Sequence, residues 1–414
     1  MWYTALLVGW RNLRRRRGRS MLTGSMFFFG TMFVVVSLGV ADGTYDDMIR
    51  LATRTWVGDF QVLAENYDKK PSLFKTIDDP DAAAEALRAE VAGIAALAPR
   101  IESAALLSRD NATVGGSLLG IDLHREFRVT SFEKQLSEGA WWKPGTSWDD
   151  TEIAPIVLGS GLAKRLDAGL GERLAVITAA ADGSTAADWF EVVGILDSGN
   201  DELDRTIACT PIAIAGEFLE LGTRVHRLVG RMAARRSLAG GVNLPIQDGA
   251  LSVMPWQELM PELDRAIAAD REGLSLFVMI ILLVVLLGCS NTMMMAILER
   301  IREIGVLQAI GTTPGHIIAF TLAEVSWLAV IGVLAGTLVG MGLNLLIGAS
   351  GIPLGDESFT YGGMVLDHLS ARNSLTSALI YPLAIAVSGI LAGLVPAYKA
   401  TRLSPVDAIR GASA

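Results

Sequence analysis

Four stretches of this 414-residue chain carry almost no charge: residues 21–41, 273–298, 317–349 and 373–398, with Glu324 the one exception. Each is long enough to supply the ~20 apolar residues that a helix needs to cross a ~30 Å hydrocarbon core. Lipid offers the backbone no hydrogen-bond partners, so each stretch must satisfy itself as a helix. The chain therefore predicts a membrane protein with four transmembrane α-helices, at 21–43, 273–298, 317–349 and 375–398.

Charge orients these spans, because Lys and Arg beside a span stay on the cytoplasmic side. Residues 1–20 hold six arginines and no acid, residues 299–316 sum to 0, and residues 399–414 sum to +2. Residues 42–272 and 350–372 sum to −14 and −2, which with Glu324 recovers the net −9 of the chain. Both termini and the loop 299–316 are thus expected in the cytoplasm, a short loop at 350–374 outside, and a large domain at 44–272 outside, between the first two spans. A cleaved leader ending at Gly39-Val40-Ala41 is the alternative for the first span. Its uncharged core is longer than a leader's usual roughly 7–15 residues, which favours a retained anchor. Within residues 1–20 a basic amphipathic helix is expected at 3–17, with Leu6, Leu7, Trp10 and Leu13 on one side and Arg11, Arg14, Arg15 and Arg17 elsewhere. Such a helix either lies in the membrane interface or is simply a cationic anchor, and the two are compatible.

The outer segment alternates strand-like and helix-like runs, an α+β pattern. Strands are expected at 60–63, 101–107, 113–121, 153–158, 173–178, 190–196, 224–232 and 251–254, and helices at 81–97, 160–166 and 211–221. A Trp- and Gly-containing stretch at 139–150 suggests two lobes. Residues 239–249 read as a Gly/Pro-containing connection, and 261–272 as a charged helical stalk running into the second span. Cys209 lies outside and Cys289 inside a span, so the outer domain has no disulfide between cysteines of its own and relies on a hydrophobic core.

Catalytic chemistry is absent from the pattern. Gly is never followed by Lys, which excludes a phosphate-binding P-loop, and neither G-x-S-x-G nor H-E-x-x-H occurs. His124, His226, His316 and His368 are scattered, with no metal-ligand spacing. Ser160, between two glycines, reads as a helix N-cap. No catalytic residue, metal site or cofactor of its own is expected, and no nucleic-acid partner. Glu324 has two readings, ion coupling or a structural role near the cytoplasmic interface. The absence of a second charge in any other span favours the structural one.

The loop after the second span reads ERIREIGVLQAIGTTPGH from Glu299. Ile301, Ile304 and Leu307 recur at helical spacing, Gly311 stops the helix, Thr312 or Thr313 can cap the next one, and Pro314 suits a first turn. Residues 299–311, the glycine-rich span that follows and the tail PAYKATRLSPVDAIR (396–410) resemble the FtsX/MacB superfamily of ABC-transporter permeases. The outer part is similar to the lipoprotein-releasing LolC/LolE branch in GDFQV (58–62), APRI (98–101), LGID (119–122) with Glu126, VLGSGLA (157–163) and FEVVG (190–194).

The resemblance implies a non-catalytic permease subunit in the bacterial inner membrane, its outer domain periplasmic. A porter lobe would span about 44–135 and 235–272, and a sabre lobe about 136–234. A dimer of separate ABC ATPase subunits, holding the ATP and Mg, would grip the loop as a coupling helix through Arg302, Glu303, Ile304, Gly305, Leu307 and Gly311. A second permease subunit, the same chain or a paralogue, would complete the assembly. The implied work is mechanotransmission: ATP-driven movement squeezes a lipoprotein from the membrane lipid toward a periplasmic carrier. MacB-like efflux of small molecules or peptides and FtsX-like signalling to a cell-wall hydrolase are the alternatives. The short loop at 179–188 departs from the LolC pattern, where a longer hook recruits the carrier.

Two further expectations concern the spans. Gly332, Gly336 and Gly340 of the third and Gly389 and Gly393 of the fourth suit close packing and point to a third–fourth helix pair. Adaptable Met26, Phe29, Met32 and Phe33 of the first span, with Met279, Leu283 and Leu286 of the second, suit either an acyl-chain cavity or ordinary lipid contact.

Overall fold

A computed structural model of the chain describes residues 17–402 except 65–66, 69–70, 234–241, 247–248, 355–358, 362–363 and 367, together with residues 7, 9 and 11. Most of the expected N-terminal amphipathic helix, and the tail motif from residue 403 onward, lie outside the described residues. The chain divides into two units: Met1–Asp47, Ile267–Leu354 and His368–Ala414 form one, Met48–Ala266 and Gly355–Asp367 the other.

The second unit is built on one sheet, which among the described residues has eleven strands. These are β1 (Phe60–Ala64), β2 (Ile94–Arg109), β3 (Ala112–Ile121), β4 (Leu136–Gly139), β5 (Ala154–Gly159), β6 (Arg173–Ala179), β7 (Thr185–Leu196), β8 (Ile207–Pro211), β9 (Arg227–Met232), β10 (Val242–Ile246) and β11 (Gly249–Pro255). Their order is β10-β11-β1-β9-β2-β3-β8-β5-β7-β4, with β6 bridging β2 and β7. Only β3 with β8 and β5 with β7 run parallel. The long β2 joins two cores. Its first half pairs with β9 and contributes Leu97 and Ile101 to a cluster with Phe60, Leu87, Leu219 and Leu228. Its second half pairs with β3 and contributes Leu107 to a cluster with Leu118, Ile156, Leu158, Leu162 and Phe190.

Several sequence expectations change here. The helix expected at 81–97 starts at Pro80, where the Asp79 carboxylate accepts the Asp81 and Ala82 N–H groups, but it ends at Glu90. Gly93, at φ +92°, turns the chain, and residues 94–97 join β2 because pairing with β9 buries Leu97. The connection at 239–249 contains β10, paired in register with β11. The boundary drawn at 136–234 also shifts: β9 pairs with β1 and β2, and Ala215, Leu219 and Leu221 pack in the first cluster, so the chain has rejoined the first core well before residue 235. Between β6 and β7 the strands extend toward each other, leaving a turn at 180–184 closed by the Ala180 N–H to Ser184 carbonyl bond.

One buried ionic network stands out in this unit. The Arg100 guanidinium forks onto the Glu126 carboxylate, with Nη2 to Oε1 at 2.6 Å and Nε to Oε2 at 3.1 Å, both side chains being wholly buried. Its Nη1 donates to the Trp56 carbonyl at 2.8 Å, the Trp56 ring lies 4.6 Å away, and Thr130 Oγ1 donates to Glu126. The guanidinium thus ties the short π-helix Thr53–Val57 to the sheet.

Among the described residues four helices are long and apolar enough to cross a membrane: span one (Ser20–Val57), span two (Pro261–Glu299), span three (Pro314–Ser350) and span four (Thr376–Thr401). The stalk and span two are one unbroken helix. Span three packs along span four, as expected, but its own glycines seat span one. A Cβ at Gly332 would stand 2.8 Å from the Gly24 carbonyl oxygen, one at Gly336 2.4 Å from that of Phe28, and one at Gly340 3.0 Å from Val35 Cβ. Gly389 of span four faces the buried Phe27 ring of span one, and only Gly393 meets span three, at Val325. Bare backbone on span three lets span one come close enough for such contacts, and bulky Phe27 then needs the room that Gly389 leaves. At the outer end, Asn344 donates to the Val35 carbonyl (3.0 Å) and Asn373 (3.1 Å), Tyr45 bonds Asp270, and Asp46 pairs with Arg372.

Candidate functional site

The loop between spans two and three is built as a distinct element. Span two ends at Glu299; Arg300 leaves helical geometry at φ −105°, ψ 14°, and a separate helix runs Ile301–Ala309. The Ile304 N–H bonds the Arg300 carbonyl, so the new helix begins on the elbow residue itself. Gly311, at φ +96°, ends it, with its N–H on the Gln308 carbonyl and the Thr312 N–H on Leu307. That conformation suits glycine alone among ordinary choices. Thr313 then caps span three, its hydroxyl bonded to His316 Nδ1 at 2.7 Å, with Pro314 in the first turn.

Helical spacing sorts the site residues by face. Arg302, Glu303 and Leu307 are exposed, Ile304 is half-buried, Gly305 is buried and Gly311 is exposed. The outward face also carries Val306 and Ile310, 50% and 75% exposed, neither of which the sequence reading singled out. The signal was present: 302, 306 and 310, with 303 and 307 beside them, repeat at three and four residues. Ile301, Ile304 and Gly305 turn inward instead, and Gln308 Nε2 donates to the Ala400 carbonyl of span four at 3.5 Å. The result is a short helix, held at its ends, that presents two charges and three uncovered aliphatic side chains.

Glu324 belongs to this site. Its Oε2 stands 3.2 Å from Arg300 Nη1, and the side chains are only 13% and 18% exposed. Sequence reading sought its partner in another span, whereas the elbow supplies it.

The residues expected to line an acyl-chain cavity are split. Phe29, Phe33, Met279 and Leu283 are more than half or about half exposed and face outward, with the Phe33 ring 5.6 Å from Phe277. Leu286 is half-buried. Met26 and Met32 are half-buried: the Met26 side chain lies against Gly288, and the Met32 backbone passes beside Gly336 and Gly340. A second candidate lies in the outer unit, a cleft of about 380 Å³ where Arg88, His124, Arg125 and Arg128 oppose Asp81 and Glu85. Arg125 and Asp81 already neutralise each other across it at 2.7 Å.

Two family models match the chain: MacB-like periplasmic core domain over residues 20–245 and FtsX-like permease C-terminal over residues 275–405. The lipoprotein-releasing system transmembrane protein LolC of Neisseria meningitidis is 25% identical over 345 residues, covering 77% of this chain and 78% of that protein. LolC of Xylella fastidiosa is 22% identical over 338 residues, with the same coverage. The macrolide export ATP-binding/permease protein MacB of Nitrobacter winogradskyi is 34% identical, but over 127 residues, 30% of this chain and 17% of that one. Together the two models cover span one, the outer domain as far as residue 245, most of span two, the loop at 299–311 and spans three and four. The chain belongs to the FtsX/MacB family of ABC-transporter permeases.

Proposed function

We propose that the chain is the permease subunit of a lipoprotein-releasing ABC transporter, working without catalytic residues of its own and driven by a separate ATPase that binds ATP and Mg. The observation that carries this reading is the extent of the match to LolC, more than three quarters of both chains, against less than a third of this chain for the MacB relative. The protein would sit in the bacterial inner membrane with both ends in the cytoplasm, as the arginine-rich start argues.

In this reading the ATPase covers the Arg302, Glu303, Val306, Leu307 and Ile310 face. Closure of the ATPase dimer moves that helix, the unbroken Pro261–Glu299 helix carries the movement outward, and the outer unit expels the lipid-anchored cargo. A second permease subunit would face Phe29, Phe33, Met279 and Leu283, whose exposure in one chain supports a shared apolar chamber. The five-residue β6–β7 turn gives no long hook for a soluble carrier, so cargo would leave without one docked there. Efflux of small molecules remains the second reading, favoured by the local identity to MacB.

The test is reconstitution of the chain with its co-purifying ABC ATPase in proteoliposomes containing a triacylated lipoprotein. ATP-dependent release of the lipoprotein is expected. Stimulated ATP hydrolysis without release, together with export of a small amphiphile, would select the efflux reading instead.

A further inference from the structure

The carboxylate of Glu324 is the one charge in the otherwise uncharged stretch 317–349, and it is largely withdrawn from solvent. An ionised group at such a place is costly unless paired and hydrogen-bonded. Arg300 meets it at 3.2 Å, and Arg300 is no ordinary loop residue: it is the single non-helical residue between span two and the helix Ile301–Ala309, and its carbonyl starts that helix. The pair therefore joins three elements at one point. The backbone at Ala323 and Glu324 is also closely approached by Gly9, where a Cβ would lie 3.1 Å away.

A bare kink between two helices is a compliant joint. Movement imposed on the short helix would be lost as bending at Arg300 unless something fixes its angle. The Gln308 to Ala400 bond holds the far end, and the Arg300–Glu324 pair holds the near end. Turning the elbow alone would pull apart a charge-assisted contact between two side chains largely withdrawn from solvent, a cost avoided when span three turns with it.

We propose that Arg300 and Glu324 are a positioning pair that stiffens the elbow, so that displacement of the Ile301–Ala309 helix reaches spans two and three together. This rests on the reading of that helix as the ATPase's grip. Neither residue lies on the exposed face at 302, 303, 306, 307 and 310, so the pair acts on transmission and not on docking.

The experiment uses the full chain in lipid nanodiscs, with spin labels on Ala309→Cys and Val330→Cys, in the wild-type background and with Glu324→Gln, Arg300→Gln and the exchange Arg300→Glu/Glu324→Arg. The two native cysteines are buried and stay unlabelled. Pulsed dipolar spectroscopy should give a narrow distance distribution in the wild type, a broader one in each neutral variant, and narrowing again in the exchange. With the ATPase added, the neutral variants should bind it within about twofold of wild type while permease-stimulated hydrolysis falls by about tenfold. A distance distribution unchanged by Glu324→Gln overturns the proposal whatever the ATPase does. Loss of ATPase binding in that variant also overturns it, by making the pair part of the docking site. A wild-type chain that neither binds nor stimulates the ATPase sinks the coupling reading, and the positioning role with it.

Discussion

Arg100 and Glu126 are fully buried in the outer unit and satisfied on every side the structure shows, by each other, by the Trp56 carbonyl and by Thr130. Such a pair adds less net stability than its geometry suggests, because both charges lost their hydration, but removing one member strands the other. Glu126→Leu should destabilise the outer unit by roughly 3–5 kcal/mol, whereas Arg100→Met/Glu126→Leu should recover much of that loss. Urea unfolding followed by tryptophan fluorescence measures both. The same network sits beside buried Cys209, whose thiol is pushed well above its ordinary pKa, first by burial and then by the Glu126 charge, leaving it an unreactive core group. His226 is one pH-sensitive residue of the outer unit. Its Nδ1 accepts the Glu102 N–H at 3.0 Å, so Nε2 carries the proton toward the Leu73 carbonyl at 3.2 Å, and burial depresses its pKa. Above pH about 6.5 the ring is neutral whether folded or unfolded. Below that the unfolded chain takes up a proton that the folded one refuses, so stability falls with pH, by at most about 1.4 kcal/mol per unit, down to the depressed value. Thermal unfolding between pH 7.5 and 5.5 should show this decline, and His226→Gln, which can make both hydrogen bonds without titrating, should flatten it.

Among elements, the seam between spans one and three carries a lesson about reading glycines. The four-residue spacing of Gly332, Gly336 and Gly340 announced a close helix contact, but spacing on one helix does not name the other. Span one earns the place by offering its own backbone at Gly24 and Phe28. Gly336→Leu, whose Cβ would stand 2.4 Å from the Phe28 carbonyl oxygen, cannot be relieved by a side-chain rotation and should cost roughly 1–3 kcal/mol. Gly342→Leu, on the same helix with nothing within 4 Å of its Cβ, is the control and should leave the midpoint unchanged or raised. Thermal denaturation of the detergent-solubilised chain separates the two.

For the whole molecule, what the sequence made legible was whatever depends on neighbours along the chain. Span placement, the short helix within 299–311, the Gly311 stop and a cap at Thr312 or Thr313 all follow from local chemistry. What escaped depends on residues far apart. The return of β9 to β1 and β2 and the pairing of β10 have no signature inside their own segments, and neither does the bond from Glu324 back to Arg300. The face of the Ile301–Ala309 helix lies between these cases: its periodicity was readable, but which side turned inward depended on what the rest of the bundle offered to cover it. The helix Pro261–Glu299 has a consequence of its own. At 1.5 Å per residue its 39 residues make a rod about 58 Å long, nearly twice the ~30 Å thickness of the hydrocarbon core. A tilt of about 5° about one end of such a rod would sweep the other through about 5 Å.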